Sequence, residues 1–241
     1  MGAIPELKDT TDPDLVAFLA SVNSSPTQLA DIFVEKLRDA GFSQSLVRRD
    51  GGDGGWAWES PHEPKAIMQT FDRRVAEYWK SGEPATPPVA YLYGAADGNE
   101  TECTPADCGS PEVLFRLAGV GVEIMAPPLW RLVGSKGHRM AATRHAAFLN
   151  DLNVEIVGWS LDRSGCEGGE PGLLARAGPC GWYWTGLEGA AAFDFADIGA
   201  LMYTLYHEAN ATAAFADYPA INTVFLNCVP PMAASSHSGE P

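Results

Sequence analysis

VEIVGWSLDRSG, residues 154–165, is the stretch on which the fold turns. Val154, Ile156 and Val157 crowd β-branched carbon around a single glutamate, and the run stops at Gly158 before a polar turn, the pattern of a short buried strand. Trp159 stands where that strand ends. The residues alone leave two readings of it. In a barrel of parallel strands the C-terminal end of a strand faces the active site, where a large aromatic walls a substrate pocket. An aromatic in the same place also serves to cap the core.

On the N-terminal side of that strand, Ala141 to Leu152 reads as a helix, and Gly121 to Met125 reads as a strand leading into Trp130. Pro111 to Leu117 is a short helix, Val89 to Tyr93 (VAYLY) a strand, and Lys65 to Phe71 (KAIMQTF) another, with Asp72 as N-cap of a helix through Lys80. Further back, Asp14 to Val22 and Ser25 to Ala40 are helical. The second carries Ser25 as N-cap, Pro26 at its first position, Leu29, Ile32, Phe33 and Leu37 on one side, and Gly41 as its stop. Ala3 to Lys8 alternates as a strand, which puts Ile4, Glu6 and Lys8 on one face. Residues 50–61 read as a glycine-rich loop holding Trp56 and Trp58, and residues 94–110 as a polar loop.

On the C-terminal side, a long loop from Asp162 to about Phe193 holds the aromatic run Trp182, Tyr183 and Trp184. Ile198 to Glu208 is a helix, Ala211 to Asp217 a strand before Tyr218, and Ala220 to Cys228 a helix; residues 230–241, rich in Pro, Ser, Gly and Ala, read as a disordered tail. Strands alternating with helices imply a parallel α/β architecture in one domain.

Composition narrows the function classes. The chain has 241 residues, 46% of them hydrophobic, and a formal net charge of -15 with only 16 Lys and Arg, so most of its surface repels a phosphate backbone and nucleic acid is not an expected partner. It has no apolar run of about 18 residues, hence no membrane span. In sequence order the cysteines suggest Cys103 with Cys108 and Cys166 with Cys180, leaving Cys228. Neither pair has the spacing or companion histidines of a zinc site, so disulfides are the expectation. Sequons at Asn23, Asn99 and Asn210 agree with a secretory compartment, whereas Met1 to Lys8 lacks the features of a signal peptide.

Other constellations weigh less. His138 and His145 are seven apart without a carboxylate to complete a metal set, and read as structural or solvated. Asp162 and Arg163 serve equally as a phosphate clamp or a local ion pair. Gly51 to Gly55 lacks the lysine of a phosphate-binding loop. Trp182 and Trp184 read as packing before they read as a ligand platform.

The order IPELK, MQTFD, APPLW, VGWSLDRSG, GWYW and ALMYTLYHEANATAAFADYP, closed by Asn227 and Cys228, resembles the C-terminal portion of glycerophosphodiester phosphodiesterases from about Pro5 to Cys228. The resemblance implies a (β/α) TIM-type barrel of the phospholipase C-like phosphodiesterase kind. The activity it implies is metal-dependent hydrolysis of a small glycerophosphodiester to glycerol 3-phosphate and an alcohol. It makes Glu6 a ligand of a divalent cation, Ca²⁺ or Mg²⁺, and Lys8 the catalytic cation at the phosphate. It also places Trp159, Gln69 and Phe71 around the substrate, with Thr70 where the family has serine. A hard oxygen ligand, a metal that polarises the phosphoryl oxygen and an ammonium that neutralises developing charge form a coherent set.

The family's His-Arg-Gly segment, Glu-x-Asp pair and further histidine, which precede the PELK-like strand, have no match here: His62, His138, His145, His207 and His237 all stand in other contexts. The full metal site is therefore not expected within this chain. The expectation is the C-terminal portion of a barrel over residues 1–229, with its first strands missing, inactive as it stands and prone to self-association through exposed sheet edges. The alternative is a non-catalytic secreted glycoprotein or binding module on the same barrel.

Overall fold

The computed structural model describes residues 2–8, 10, 12–42, 45–48, 56–60, 62–63, 65–82, 86–94, 109–161, 187, 195–216 and 219–228. In chain order the strands are β1 (Gly2–Ala3), β2 (Leu46–Arg48), β3 (Trp56–Trp58), β4 (Lys65–Ala66), β5 (Met68–Thr70), β6 (Val89–Leu92), β7 (Ile124–Ala126), β8 (Val133–Lys136), β9 (Arg139–Ala142), β10 (Glu155–Gly158) and β11 (Ala213–Ala214). The helices are α1 (Pro13–Ser21), α2 (Pro26–Asp39), α3 (Arg73–Ser81), α4 (Pro111–Gly119), α5 (Leu129–Leu132), α6 (Arg144–Asp151), α7 (Phe195–Tyr203), which runs into a π-helical turn at Thr204–Glu208, and α8 (Pro219–Cys228). Two compact units emerge, residues 1–128 with 148–157, and residues 129–147 with 158–241.

Local chemistry sets the helix starts. The Asp12 carboxylate accepts the N–H groups of Asp14 and Leu15, and Ser25, Asp72 and Ser110 accept from Gln28, Arg74 and Val113 in the same way. Three of these caps are followed by proline at the first helical position, where its missing N–H costs nothing.

The first unit is built on parallel strands. β1 lies beside β4, with Gly2 opposite Lys65 and Ala3 opposite Ala66. The pairing runs on along β5: Ile67 N donates to Ala3 O and Gln69 N to Pro5 O, each at 3.0 Å, and Leu7 N donates to Gln69 O at 2.9 Å. Pro5 accepts in this ladder but has no N–H to return, which breaks the regular strand between Ala3 and Glu6. β5 then pairs with β6, β6 with β7, and β7 with β10, all parallel. Gln69, Ala90, Ile124 and Glu155 form one cross-sheet row; Thr70, Tyr91, Met125 and Ile156 form the next, on the opposite face. The second row is no more than 1% exposed. Within this unit the strand order, β5-β6-β7-β10, follows chain order without a reversal.

A buried ion pair ties the helices to the starts of these strands. Lys80, at the end of α3, reaches Glu123 Oε1 at 2.5 Å with both side chains at most 10% exposed. Glu123 Oε2 accepts the N–H of Val89, the first residue of β6, and the Glu123 carbonyl accepts that of Glu155, the first of β10. Burial holds the Glu123 carboxyl above the usual carboxylate range, although the Lys80 ammonium pulls the other way.

In the second unit, β8 and β9 form an antiparallel hairpin from Val133 opposite Ala142 to Lys136 opposite Arg139, with Gly137 at φ 68° in its turn. Glu208, closing the π-helical turn, takes the Arg139 guanidinium at 3.5 Å and the Ala142 N–H at 3.4 Å. Thr143 Oγ1 accepts from Ala146 N to start α6 and donates to the Arg131 carbonyl. At Gly158 a Cβ would meet Leu129 Cδ2 at 2.9 Å and Leu132 Cδ1 at 3.2 Å, so a side chain there would collide with the apolar layer.

Several expectations change. Trp56 and Trp58 are not in a loop: β3 pairs antiparallel with β2, setting Leu46 opposite Trp58 and Arg48 opposite Trp56. The helix expected from Ala141 begins at Arg144, because Ala141 and Ala142 complete β9. His138 accordingly sits in the hairpin turn and His145 on α6, so the two do not share a helical face. The tail, the long loop from Asp162 apart from Leu187, and Asp217–Tyr218 lie outside the described residues.

Two outcomes follow. In urea unfolding, Lys80→Met or Glu123→Leu alone should cost about 3–5 kcal/mol by stranding a buried charge, and the double variant should recover most of it. Burial, reinforced by Arg131, lowers the His145 pKa from 6.5 to about 4. The unfolded chain thus takes up this proton first as pH falls, and stability present above pH ~6.5 drains away by pH ~4, by at most roughly 3 kcal/mol. His145→Gln should flatten that portion of the stability–pH curve.

Candidate functional site

Glu6, Lys8 and Gln69 come together in the first unit. The alternation of Ala3 to Lys8 turns Glu6 and Lys8 to one face, and the parallel bridge sets Glu6 directly opposite Gln69. Lys8 Nζ lies 3.6 Å from Glu6 Oε2, with the Lys8 side chain 66% exposed and the Glu6 side chain 16%. Gln69 Nε2 donates to the same Glu6 oxygen at 3.1 Å. A carboxylate accepts but does not donate, so the amide edge facing Glu6 is the NH₂ edge and the Gln69 carbonyl oxygen points elsewhere. Gln69 is 8% exposed, and its Oε1 has no hydrogen-bond partner among the described residues.

The chain leaving Lys8 is anchored near the same strand end. Thr10, 1% exposed, donates its hydroxyl to Asp72 Oδ2 at 2.9 Å. Asp72 in turn caps α3 through its other oxygen and donates its N–H to Thr70 Oγ1. Asp72 was legible as a helix cap, but its tie to Thr10, across 62 positions, has no local sequence signal. Phe71, between Gln69 and this cap, is half-buried.

Chemically, the cluster offers a carboxylate, an amide oxygen and a mobile ammonium. The exposed ammonium suits an anionic group arriving from solvent, since the neighbouring carboxylate is screened and holds it only weakly. Among the described residues no group of three or more His, Cys, Asp and Glu side chains gathers as a metal site. Glu6 and Gln69 supply two hard oxygen donors where a Ca²⁺ or Mg²⁺ ion needs about six. The residues described here do not complete such a site.

Trp159 belongs to the second unit. Its carbonyl accepts from Leu129 N at 2.9 Å, and the ring is half-buried at the end of β10. The next strand is fixed there by Phe215 N donating to Gly158 O at 2.8 Å and Leu161 N to Phe215 O at 3.0 Å.

Of the expected glycosylation positions, Asn23 and Asn210 are exposed, each at φ 56°, a left-handed conformation that asparagine tolerates. Asn99 lies outside the described residues, as do Cys103, Cys108, Cys166 and Cys180; Cys228 is exposed on α8. Among the described residues no helix is long and apolar enough to cross a membrane. No protein-family model matches the chain, and no curated protein matches it.

Proposed function

We propose that the chain forms part of a glycerophosphodiester phosphodiesterase, hydrolysing a small glycerophosphodiester to glycerol 3-phosphate and an alcohol. The observation that carries this reading is the juxtaposition of Lys8, Glu6 and Gln69 at the C-terminal ends of adjacent parallel strands. That end of a parallel α/β sheet is where reactive groups collect. A (β/α) barrel is supported by the strand order, because neighbours that follow one another in sequence without reversal suit a sheet closing on itself, whereas a doubly wound sheet reverses at a switch point.

In this reading Lys8 pairs with the phosphate and neutralises charge as it develops, while Gln69 holds the Glu6 carboxylate in place. Phe71 supplies apolar surface for the substrate's carbon skeleton. The divalent cation would polarise the phosphoryl oxygen; it is a proposal in its own right, with Glu6 as one ligand and the others outside the described set. Disulfides at Cys103–Cys108 and Cys166–Cys180, glycans at Asn23, Asn99 and Asn210, and a secretory location go with the same proposal.

The test is turnover of glycerophosphocholine by the protein purified from its natural source, with and without a chelator. Chelation should abolish release of glycerol 3-phosphate, and Lys8→Ala in the same protein should lower kcat about 10²-fold or more. Binding without turnover would move the protein to the non-catalytic alternative.

A further inference from the structure

Helix α1 is apolar and poorly covered. Of its nine residues only Leu19 is buried, while Phe18 is 60% exposed and Val22, the residue that caps the helix, 55%. Val22 N donates to Phe18 O, so the two stand one turn apart and form a stripe along one side. No charged residue occurs from Leu15 to Ala30, in a chain of which 20% is charged. A second copy is a poor cover for this stripe. Each copy carries a net charge of -15, and one nine-residue helix presents well under the ~800 Å² per partner of a stable protein interface.

The chain turns at the edge of the stripe. Asn23 follows Val22 directly, exposed and in the left-handed region at φ 56°. Asn23 N donates to Ala20 O at 3.1 Å and Ser24 N to Leu19 O at 2.8 Å, the paired bonds of a Schellman turn, so the backbone at this position is fixed. Asn23, Ser24 and Ser25 are also the first sequon of the chain. A sugar attached there hangs within one residue of Val22 and one helical turn of Phe18.

We propose that the first sugars of an N-linked glycan at Asn23 lie over Phe18 and Val22 and are the cover of this apolar stripe. The inference rests on the secretory part of the proposed function and adds to it what this glycan does. Attachment draws on an oligosaccharide linked to a polyprenyl pyrophosphate: the bond from the anomeric carbon to the pyrophosphate oxygen breaks, the Asn23 Nδ2 bond to that carbon forms, and the amide loses one proton. A pyranose ring has C–H groups on its faces and hydroxyls around its rim. Laid on the Phe18 ring it removes apolar surface from water, while its hydroxyls keep their hydrogen bonds to solvent.

Glycopeptide mass analysis of the protein from its natural source should find sugar on Asn23. The full chain secreted by a eukaryotic host is then compared in urea unfolding as four forms: unaltered, Asn23→Gly, Phe18→Ser and both together. Asn23→Gly removes the sugar and keeps the turn, because glycine is the residue that left-handed helix ends favour. Its own backbone effect is common to both pairs and cancels. Loss of the sugar should raise the unfolding constant about threefold to tenfold more with Phe18 present than with serine in its place. An equal change in both backgrounds would overturn the inference. So would a bare Asn23 in a protein that carries sugar at Asn99 or Asn210. Sugar at none of the three would overturn the secretory reading and this inference with it, while turnover of glycerophosphocholine stands or falls separately.

Discussion

The Glu123 carboxylate is the constraint around which the first unit is arranged. A charge this deeply buried is tolerated only if its oxygens are satisfied, and here they are shared between the Lys80 ammonium and the N–H of Val89. Through its carbonyl the same residue also receives Glu155. One residue therefore joins the end of α3 to the first residues of β6 and β10, while β7 begins at the next position, Ile124. Apolar side chains in that place would pack, but without specifying which strand begins at which height. Directional bonds set the register, and register in a parallel sheet decides which face every later side chain occupies.

The strands are pinned at their N-terminal ends, and their C-terminal ends are free to vary. In parallel α/β sheets conserving stability at one end and chemistry at the other is a consequence of the connections, since the loops leaving the strands all emerge together. Glu6, bridged to Gln69, and Lys8 follow β1 beyond the break at Pro5, and the Thr10 to Asp72 bond then draws the departing chain against the cap of α3. The cluster is thus held from below by the sheet and from the side by a buried hydroxyl. Only the Lys8 ammonium remains largely in solvent, which leaves it able to follow an incoming anion.

Local rules made much of this legible in the sequence, and their limits explain the rest. Caps such as Ser25 and Asp72 announce themselves because the interaction spans only two or three residues. Period-two alternation likewise put Glu6 and Lys8 on a common face, where the structure pairs them. By contrast the β2–β3 hairpin was hidden, since Trp56, Ala57 and Trp58 follow a glycine-rich run and their partners lie before it. The β8–β9 hairpin was missed for a different reason. Its strands contain Gly134, Ser135, Ala141 and Ala142 and little β-branched carbon, so Ala141 and Ala142 read as the start of the following helix. The Lys80–Glu123 pair spans 43 positions, and its only trace in sequence is one carboxylate set in the apolar run VGVEIMA.

That trace recurs in Glu155, the glutamate that interrupts the valines and isoleucine of the stretch on which the fold turns. It stands in the same row as Gln69 and Ile124, so two polar side chains share a face with small and apolar neighbours. The opposite row, Thr70, Tyr91, Met125 and Ile156, is sealed from solvent. Gln69, Ala90 and Ile124 are themselves no more than 8% exposed, so both faces of these strands are covered, as in a parallel α/β sheet. Gln69 is placed by that geometry before any chemistry is asked of it. Its bond to Glu6 then fixes which edge of the amide faces the carboxylate.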